Sequence, residues 1–281
     1  MKNQGLLITI LIAVSLLLSV NASKAEQYYY YDLGASGFSV PAYGSHSIND
    51  SGYISGGTWG PGGTTAALWS PSGVIQNFGT PDGSCAVGIN NKNEVVGYSA
   101  DFFAGYNKAF KWTKTDGIKD LGSLSGKGGY AYGINDSGSV VGTSEAGGQS
   151  SHAFLWTPSS GMQDLGILGG QYSSASSINN SGSVVGSSDF DNIAYTRTAF
   201  LWTSSAGMKN INDLINNKPS NTYLVSASSI NNKNQIVGTL NAPLPNGNSY
   251  SAYLWSGKPH KSRHPNDDPV DGHLSGWGSP W

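Results

Sequence analysis

Short apolar runs alternate with polar, glycine-rich linkers along most of this chain. One pattern recurs five times: an Ile-Asn pair, two or three polar residues, then a small apolar run that ends in Gly. Successive pairs are 41, 45, 44 and 52 residues apart. They begin at Ile48, Ile89, Ile134, Ile178 and Ile230. Repeats of this length are typical of propeller blades or of helical solenoids.

The residues of the repeat favour strands over helices. In the third unit, the short runs 130–134 and 139–144 flank an Asn-Asp-Ser-Gly linker. The fourth linker position is always Gly or Asn, the residues that most readily accept a left-handed backbone. A β-hairpin closed by a G1 bulge requires such a residue. These positions are Gly52, Asn93, Gly138, Gly182 and Asn234. No window keeps a 3.6-residue apolar period over 12 residues, so five hairpins are predicted.

Two further strands complete each predicted unit. A third strand ends in Trp, and its alternate residues, such as Phe110 and Trp112, are apolar, which predicts one buried face. A fourth short strand is exemplified by residues 118–122 and 162–166. The chain is therefore predicted to be an all-β repeat protein of five four-stranded units, a five-bladed β-propeller. An open β-solenoid or a β-prism-like array is the alternative.

The fifth unit stops after Trp255 and lacks a fourth strand of its own. Residues 31–34 match the fourth strand of the other units, but no first, second or third strand precedes them. We expect this N-terminal strand to complete the last unit and close the ring, which removes exposed sheet edges.

One unit carries a recognisable signature. It contains His152-Ala153-Phe154-Leu155-Trp156, then Gly-Met-Gln-Asp-Leu-Gly at 161–166 and Ile-Asn-Asn-Ser-Gly-Ser-Val-Val-Gly at 178–186. This resembles the HAF repeat, a family of bacterial extracellular repeat proteins, over about residues 31–255. The resemblance implies a bacterial, exported protein and supplies no functional residues. The other units replace His152 with Thr65, Lys108, Thr198 and Ser251.

The N-terminus has the layout of a secretory signal peptide. Lys2 precedes an apolar stretch at 6–20, and the small residues Ala22 and Ala25 follow. A retained anchor is the alternative, although a spanning helix needs roughly 20 apolar residues. Residues 1–25 are thus predicted as signal peptide, 26–256 as the β domain, and 257–281 as a Pro/Gly-rich disordered tail. This predicts a secreted or periplasmic protein with no stable membrane insertion after cleavage.

Composition narrows the possible partners. Only 11% of residues are charged and the net charge is −2, which gives no electrostatic case for nucleic acid. Cys85 is the single cysteine, so neither an intrachain disulfide nor a thiolate metal cluster is possible. We interpret Cys85 as a half-buried small residue.

Repeated polar residues have both functional and structural explanations. Asp120 and Asp164, with Asp32 and Asp213, are assigned to matching places, where turn capping is favoured over catalysis. The asparagines of the Ile-Asn pairs are interpreted as Asx turns, with a ring of amide or Ca²⁺-binding oxygens as the alternative. No metal-binding spacing or nucleophile motif is evident, so no metal, cofactor or catalytic residue is predicted.

The segments that differ between units are the predicted ligand site. Residues 101–108, 189–197 and 240–250 all lie between second and third strands, and so on one face. The candidate ligand-binding residues are Phe102, Tyr106, Phe190, Tyr195 and Arg197. The leading hypothesis is a non-catalytic binding or adhesion protein, possibly lectin-like, for a carbohydrate or protein ligand. The alternatives are a glycoside hydrolase or lyase using Glu94, Asp101 and Glu145, and a structural cell-surface element.

Overall fold

The computed structural model describes residues 47–60, 63–79, 83–101, 103–190, 197–216, 222–241 and 250–256. They form five antiparallel sheets in which consecutive strands pair with each other. The predicted signal peptide, the N-terminal strand at 31–34 and the C-terminal tail lie outside the described residues. Within the described ranges, no helix has the length and apolar character needed to cross a membrane.

The sheets follow one another along the chain, and we call them blades 1 to 5. Blade 1 contains β1 (Ser47–Ile48), β2 (Ile54–Gly60), β3 (Gly63–Trp69) and β4 (Ile75–Asn77). Blade 2 contains β5 (Ser84–Ile89), β6 (Val95–Asp101), β7 (Tyr106–Thr113) and β8 (Gly117–Asp120). Blade 3 contains β9 (Gly129–Ile134), β10 (Val140–Gly147), β11 (Ser150–Thr157) and β12 (Gly161–Asp164).

Blade 4 contains β13 (Ser173–Ile178), β14 (Val184–Asp189), β15 (Arg197–Thr203) and β16 (Gly207–Asn210). A 3-10 helix, Ile211–Asp213, follows it. Blade 5 contains β17 (Tyr223–Ile230), β18 (Gln235–Asn241) and β19 (Tyr250–Ser256). The strand order confirms the predicted meander of each repeat.

The turn between the first two strands has the predicted geometry. In blade 3, Gly138 N–H donates to the Asn135 carbonyl at 2.9 Å, and Gly138 has φ of 80°. Asn93 takes the same left-handed conformation in blade 2, with φ of 60°. Gly or Asn occupies this position in each blade, because other residues are sterically disfavoured in the left-handed conformation.

A second glycine of the repeat, Gly142 in blade 3, is required because neighbouring backbone lies very close to it, not because of its φ. The pairing of β9 with β10 is interrupted by a bulge at Val141/Gly142, which leaves Tyr132 without a partner in the register. A Cβ on Gly142 would collide with the carbonyl oxygen of Tyr130. Gly97 and Gly186 meet equivalent backbone atoms in blades 2 and 4. This contact explains why each repeat motif ends in Gly.

The core lies between successive sheets. Phe154 and Trp156 of blade 3 pack against Val96, Ala109 and Leu121 of blade 2. Equivalent clusters join blades 1 and 2, blades 3 and 4, and blades 4 and 5. The predicted Phe-Trp face is therefore buried, and each sheet stabilises its neighbours mainly through apolar area removed from water.

The first strand of each sheet is the inner one. β9 contacts β5, β6 and β7 of blade 2 as well as β13 of blade 4. Strands β5, β13 and β17 make the corresponding contacts with the blades before them. Inner strands that contact one another in sequence are the arrangement of a β-propeller, here with five blades.

Asparagine side chains connect the blades at the hairpin turns. Asn135 Oδ1 accepts the backbone N–H groups of Ser137 at 3.1 Å and Ser139 at 3.0 Å, which confirms the Asx turn. Its Nδ2 also donates to the Asn179 carbonyl of the next blade at 3.0 Å. We call this second contact the asparagine arm, and the sequence did not predict it. Equivalent arms run from Asn49 to Asn90, from Asn90 to Asn135 and from Asn179 to Asn231.

Candidate functional site

The predicted variable segments lie at one end of the blades, opposite the asparagine arms. We call this end the loop face; it holds the connections between second and third strands. The segments are shorter than predicted, because β6 extends through Asp101 and β7 begins at Tyr106. Arg197 likewise begins β15. Tyr106 and Arg197 are therefore held on strands, where their positions are better fixed than on a free loop.

A cavity of about 220 Å³ opens on the loop face. It forms where the β6–β7 connection of blade 2 meets the ends of β9, β10 and β11 of blade 3. It is lined by Gly105, Tyr106, Asn107, Gly128, Gly129, Tyr130, Thr143, Ser144, Glu145 and Ser151. Two aromatic residues, an amide, a carboxylate and several hydroxyls thus surround one space.

Some polar groups of this cavity form hydrogen bonds with other described residues, and others do not. Asn107 Nδ2 donates to the Tyr130 hydroxyl at 2.6 Å, which orients both side chains. Ser144 Oγ accepts the Leu124 N–H at 3.0 Å. The carboxylate of Glu145 forms no hydrogen bond or ion pair with the residues that the structure describes. It is therefore available to a ligand.

Blade 4 shows how specific this arrangement is. Glu145 N–H donates to the Gly128 carbonyl at 3.0 Å, and Asp189 N–H donates to the Tyr172 carbonyl at 2.8 Å in the matching place. Tyr172 thus stands where blade 3 has Gly128. The Asp189 carboxylate is also 3.9 Å from Arg197 Nε, whereas Glu145 has no such partner in the described part of the chain.

Glycine is required at Gly128 because the two blades approach closely there. A Cβ at this position would lie 2.6 Å from the Asn107 carbonyl oxygen, well inside van der Waals contact. Blade 2 also has glycine in this place, because Ala100 N–H donates to the Gly83 carbonyl at 2.8 Å, whereas blade 4 has Tyr172. The next residue, Gly129, replaces Ser84 and Ser173 of those blades, and sequence reasoning missed this departure from the repeat.

Exposed aromatic rings gather at the same face. Phe103, in the β6–β7 connection, is fully exposed. Tyr172 and Tyr223 are exposed where β13 and β17 begin, and Phe190 is exposed where β14 ends. Exposed apolar surface of this kind often marks a binding site.

The predicted ligand-binding residues have different outcomes. Tyr106 lines the cavity. Phe190 and Arg197 are exposed on the loop face in blade 4 and do not line it. Phe102 and Tyr195 lie outside the described residues. The sequence did not single out Asn107 or Tyr130, and it named Glu145 only as a carboxylate for catalysis.

Two of the carboxylates considered for catalysis, Glu94 and Asp101, are too far apart to act as a pair. Glu94 lies at the start of β6 and binds Lys111 Nζ at 2.7 Å and Asn90 Nδ2 at 2.6 Å. Asp101 ends the same strand and pairs with Lys108 at 2.8 Å, which lowers the pKa of Asp101. Seven residues of extended chain span roughly 23 Å. A hydrolytic pair needs a separation of about 5–10 Å.

The repeated aspartates are turn caps, as predicted. Asp120 Oδ1 accepts the Gly122 N–H at 2.8 Å, and Asp164 Oδ1 accepts the Gly166 N–H at 2.7 Å. The assignment of Asp213 to this set is wrong. Asn210 pairs with Phe200 as Asp120 pairs with Phe110, and Asp213 belongs to the following 3-10 helix. Asp32 lies outside the described residues.

Three tyrosines lie together near the inner strands. The Tyr98 and Tyr130 rings are 4.9 Å apart, and those of Tyr130 and Tyr132 are 6.2 Å apart. Burial raises the pKa of Tyr98 and of Tyr132 to about 12. Burial also raises the pKa of Cys85, which keeps its thiol protonated and unreactive at neutral pH. Cys85 is more completely buried than predicted.

Across the described residues, no three His, Cys, Asp or Glu side chains are grouped so as to hold a metal ion. The site therefore offers aromatic, amide, hydroxyl and carboxylate groups for non-covalent binding.

Comparison with known proteins agrees with this fold. No protein-family model and no curated protein matches the chain. TolB from Acinetobacter baumannii, a β-propeller, is 11% identical with a TM-score of 0.50; the match covers 75% of this chain and 54% of TolB. This chain thus matches about half the length of TolB. The similarity shows the fold alone.

Two further solved structures are more distant. AofleA from Arthrobotrys oligospora is 10% identical with a TM-score of 0.43, covering 75% of this chain and 70% of AofleA. A putative gluconolactonase is 12% identical with a TM-score of 0.35, covering 69% and 71%.

Proposed function

We propose that this chain is a secreted, non-catalytic binding protein that holds a carbohydrate in the cavity of the loop face. The observation that carries the proposal is the Glu145 carboxylate, which has no partner among the described residues and lies beside Asn107, Tyr106 and Tyr130. A propeller is a rigid scaffold, and variation on one of its faces is where ligand sites usually lie. The resemblance to exported HAF repeats is consistent with this assignment.

A carbohydrate fits the chemistry of the lining. Sugar rings have apolar C–H faces that pack on aromatic side chains, and hydroxyls that exchange hydrogen bonds with amides and carboxylates. The cavity supplies Tyr106 and Tyr130 for the first kind of contact, and Asn107, Glu145 and Ser151 for the second. Ligand hydroxyls would donate to the half-buried Glu145 carboxylate, which accepts no hydrogen bond from the described residues.

The cavity also favours a particular ligand charge. Among the described residues that line it, Glu145 is the one charged side chain. An acidic sugar would place like charges together, whereas a neutral sugar or a protonated amino sugar would not. We therefore expect neutral or amino sugars to be preferred over sialic or uronic acids.

The test is a glycan array with purified residues 26–281, followed by calorimetry on the best ligand and mass spectrometry of the same samples. We expect binding without product. Ser151→Trp should weaken it at least 10-fold. Glu145→Gln should weaken binding of an amino sugar at least 10-fold while retaining neutral glycans, and Arg197→Gln in blade 4 should leave both unchanged. Hydrolysed glycan would establish catalysis instead, and binding that ignores Ser151→Trp would place the ligand elsewhere.

A further inference from the structure

A second cavity, of about 320 Å³, lies at the opposite end of the blades. It forms a groove between blades 1 and 2, near the asparagine arms. Its apolar wall includes Leu68, Val74 and Trp112, and two cationic side chains, Lys92 and Lys114, complete the lining. No carboxylate is found among the described residues of this lining. Val74 is 65% exposed.

The matching place between blades 2 and 3 is filled differently. Lys111 stands where blade 1 has Leu68, and Glu94 stands where it has Tyr53; these two form an ion pair at 2.7 Å. Lys119 replaces Gln76, and its Nζ lies 5.0 Å from the centre of the Trp156 ring. Side chains of the protein thus occupy that groove with paired charges.

The groove between blades 1 and 2 reverses this arrangement. Its floor carries Leu68 and Gln76 instead of charged residues, and its two lysines come from the turns of blade 2. Neither Lys92 nor Lys114 forms an ion pair with any residue that the structure describes. Lys92 interacts electrostatically with Asp136 of blade 3 beyond ion-pair distance, and both lysines line the apolar groove.

These lysines are not a general feature of the repeat. The position of Lys92 is serine in blades 1, 3 and 4, and the position of Lys114 is proline or serine in those blades. The serines are Ser51, Ser137 and Ser181; the others are Pro71, Pro158 and Ser204. Blade 5 has Lys233 at the position of Lys92, and among blades 1 to 4 only blade 2 has lysine at both positions.

We propose that this groove binds a small organic anion, with its apolar body against Leu68, Val74 and Trp112 and its anionic head at Lys92 and Lys114. The volume lies at the lower end of the range for small-molecule sites. Contact with the apolar wall removes hydrocarbon from water, and the anion neutralises two ammonium groups. This site is independent of the carbohydrate cavity on the loop face.

The test is isothermal titration of the purified protein with three carboxylates: 4-phenylbutyrate, indole-3-acetate and decanoate. We expect at least one to bind with a Kd below about 1 mM. Its uncharged amide should bind at least 10-fold more weakly. The affinity should also fall as salt rises, because exposed charges are screened.

Variants locate the site. Lys92→Gln combined with Lys114→Gln should weaken binding at least 10-fold, and Val74→Asp should abolish it. Lys233→Gln is the matched control, because Lys233 holds the same turn position as Lys92 in blade 5. Circular dichroism melts establish that each variant is folded.

Three outcomes would overturn the proposal. These are no binding of any carboxylate to the folded wild type, equal affinity for acid and amide, or full affinity in the folded double-lysine variant. Glycan binding at the loop face would be unaffected by any of them.

Discussion

Lys111 Nζ lies 2.7 Å from Glu94 Oε1 across neighbouring strands of blade 2. The two side chains are only 11% and 19% exposed. Removing two charges from water is costly, and their attraction repays that cost only with good geometry and extra hydrogen bonds. Asn90 Nδ2 supplies one such bond to Glu94 at 2.6 Å.

Breaking this pair should be more damaging than replacing it. We expect Lys111→Ala to lower the free energy of unfolding by about 3 kcal/mol, because it leaves the Glu94 carboxylate without its partner. The double change Lys111→Leu with Glu94→Ser installs the residues found at Leu155 and Ser139 in blade 3. That variant should stay within about 1 kcal/mol of wild type in urea unfolding. Equal loss in both variants would contradict this account.

The asparagine arm can be separated from the Asx turn at Asn135. Asn135→Asp keeps the oxygen that accepts the Ser137 and Ser139 N–H groups but removes the donor to the Asn179 carbonyl. We expect a loss of about 1–3 kcal/mol in the free energy of unfolding, since a buried hydrogen bond between blades is lost and the Asn179 carbonyl keeps only the Gly182 N–H. Asn231→Asp is the control, because its Nδ2 donates to Gln235 within its own blade. A loss at Asn231 as large as at Asn135 would assign the effect to the turn.

Asp136 predicts a pH dependence of stability. Its pKa is lowered, first by the Asn91 N–H at 2.9 Å and then by the Asn180 amide at 2.8 Å. A carboxylate with a lowered pKa stabilises the fold above its unfolded value of about 3.9, and this contribution is lost as pH falls through the folded value.

Asp136→Asn should therefore be less stable than wild type at pH 7, and the difference should shrink below pH of about 4. Chemical unfolding at pH 7 and pH 3 measures it. Asp116→Asn, on an exposed turn of blade 2, controls for the loss of one negative charge. A difference that stays constant over this range would exclude ionised Asp136 as its source.

The charge of Glu145 should set ligand preference at the loop face. We expect an amino-sugar oligomer to bind more tightly than its N-acetylated form, and Glu145→Gln to remove that difference while retaining neutral glycans. Direct titration of both oligomers against both proteins measures it. A preference for sialylated glycans would contradict the role assigned to this carboxylate.

Local pattern was sufficient to predict the strands and turns of the five repeats. Gly138 and Asn93 identify hairpin turns because few other residues adopt positive φ. Phe154 and Trp156 identify a buried face because strand residues alternate between the two sides of a sheet. These signals are contained within a few neighbouring residues.

The cavity depends instead on residues from different repeats. Asn107 and Tyr130 are 23 positions apart and meet only because blade 2 and blade 3 pack together. Phe190 and Arg197 are exposed on the same face in blade 4, but neither residue lines the cavity. Composition therefore pointed to the face on which the cavity opens, while packing decided which residues surround the cavity.

The asparagine arms all run in one direction, from an earlier blade to the next one along the chain. The asparagine of one blade thus donates to a carbonyl of the next blade. Each hydrogen-bonded unit therefore includes parts of two successive sequence repeats. Addition or removal of whole repeats preserves this chain of contacts at the four junctions between described blades, because each of them has the same donor and acceptor. Such a design allows ring size to change by duplication, while each groove between blades can diverge separately.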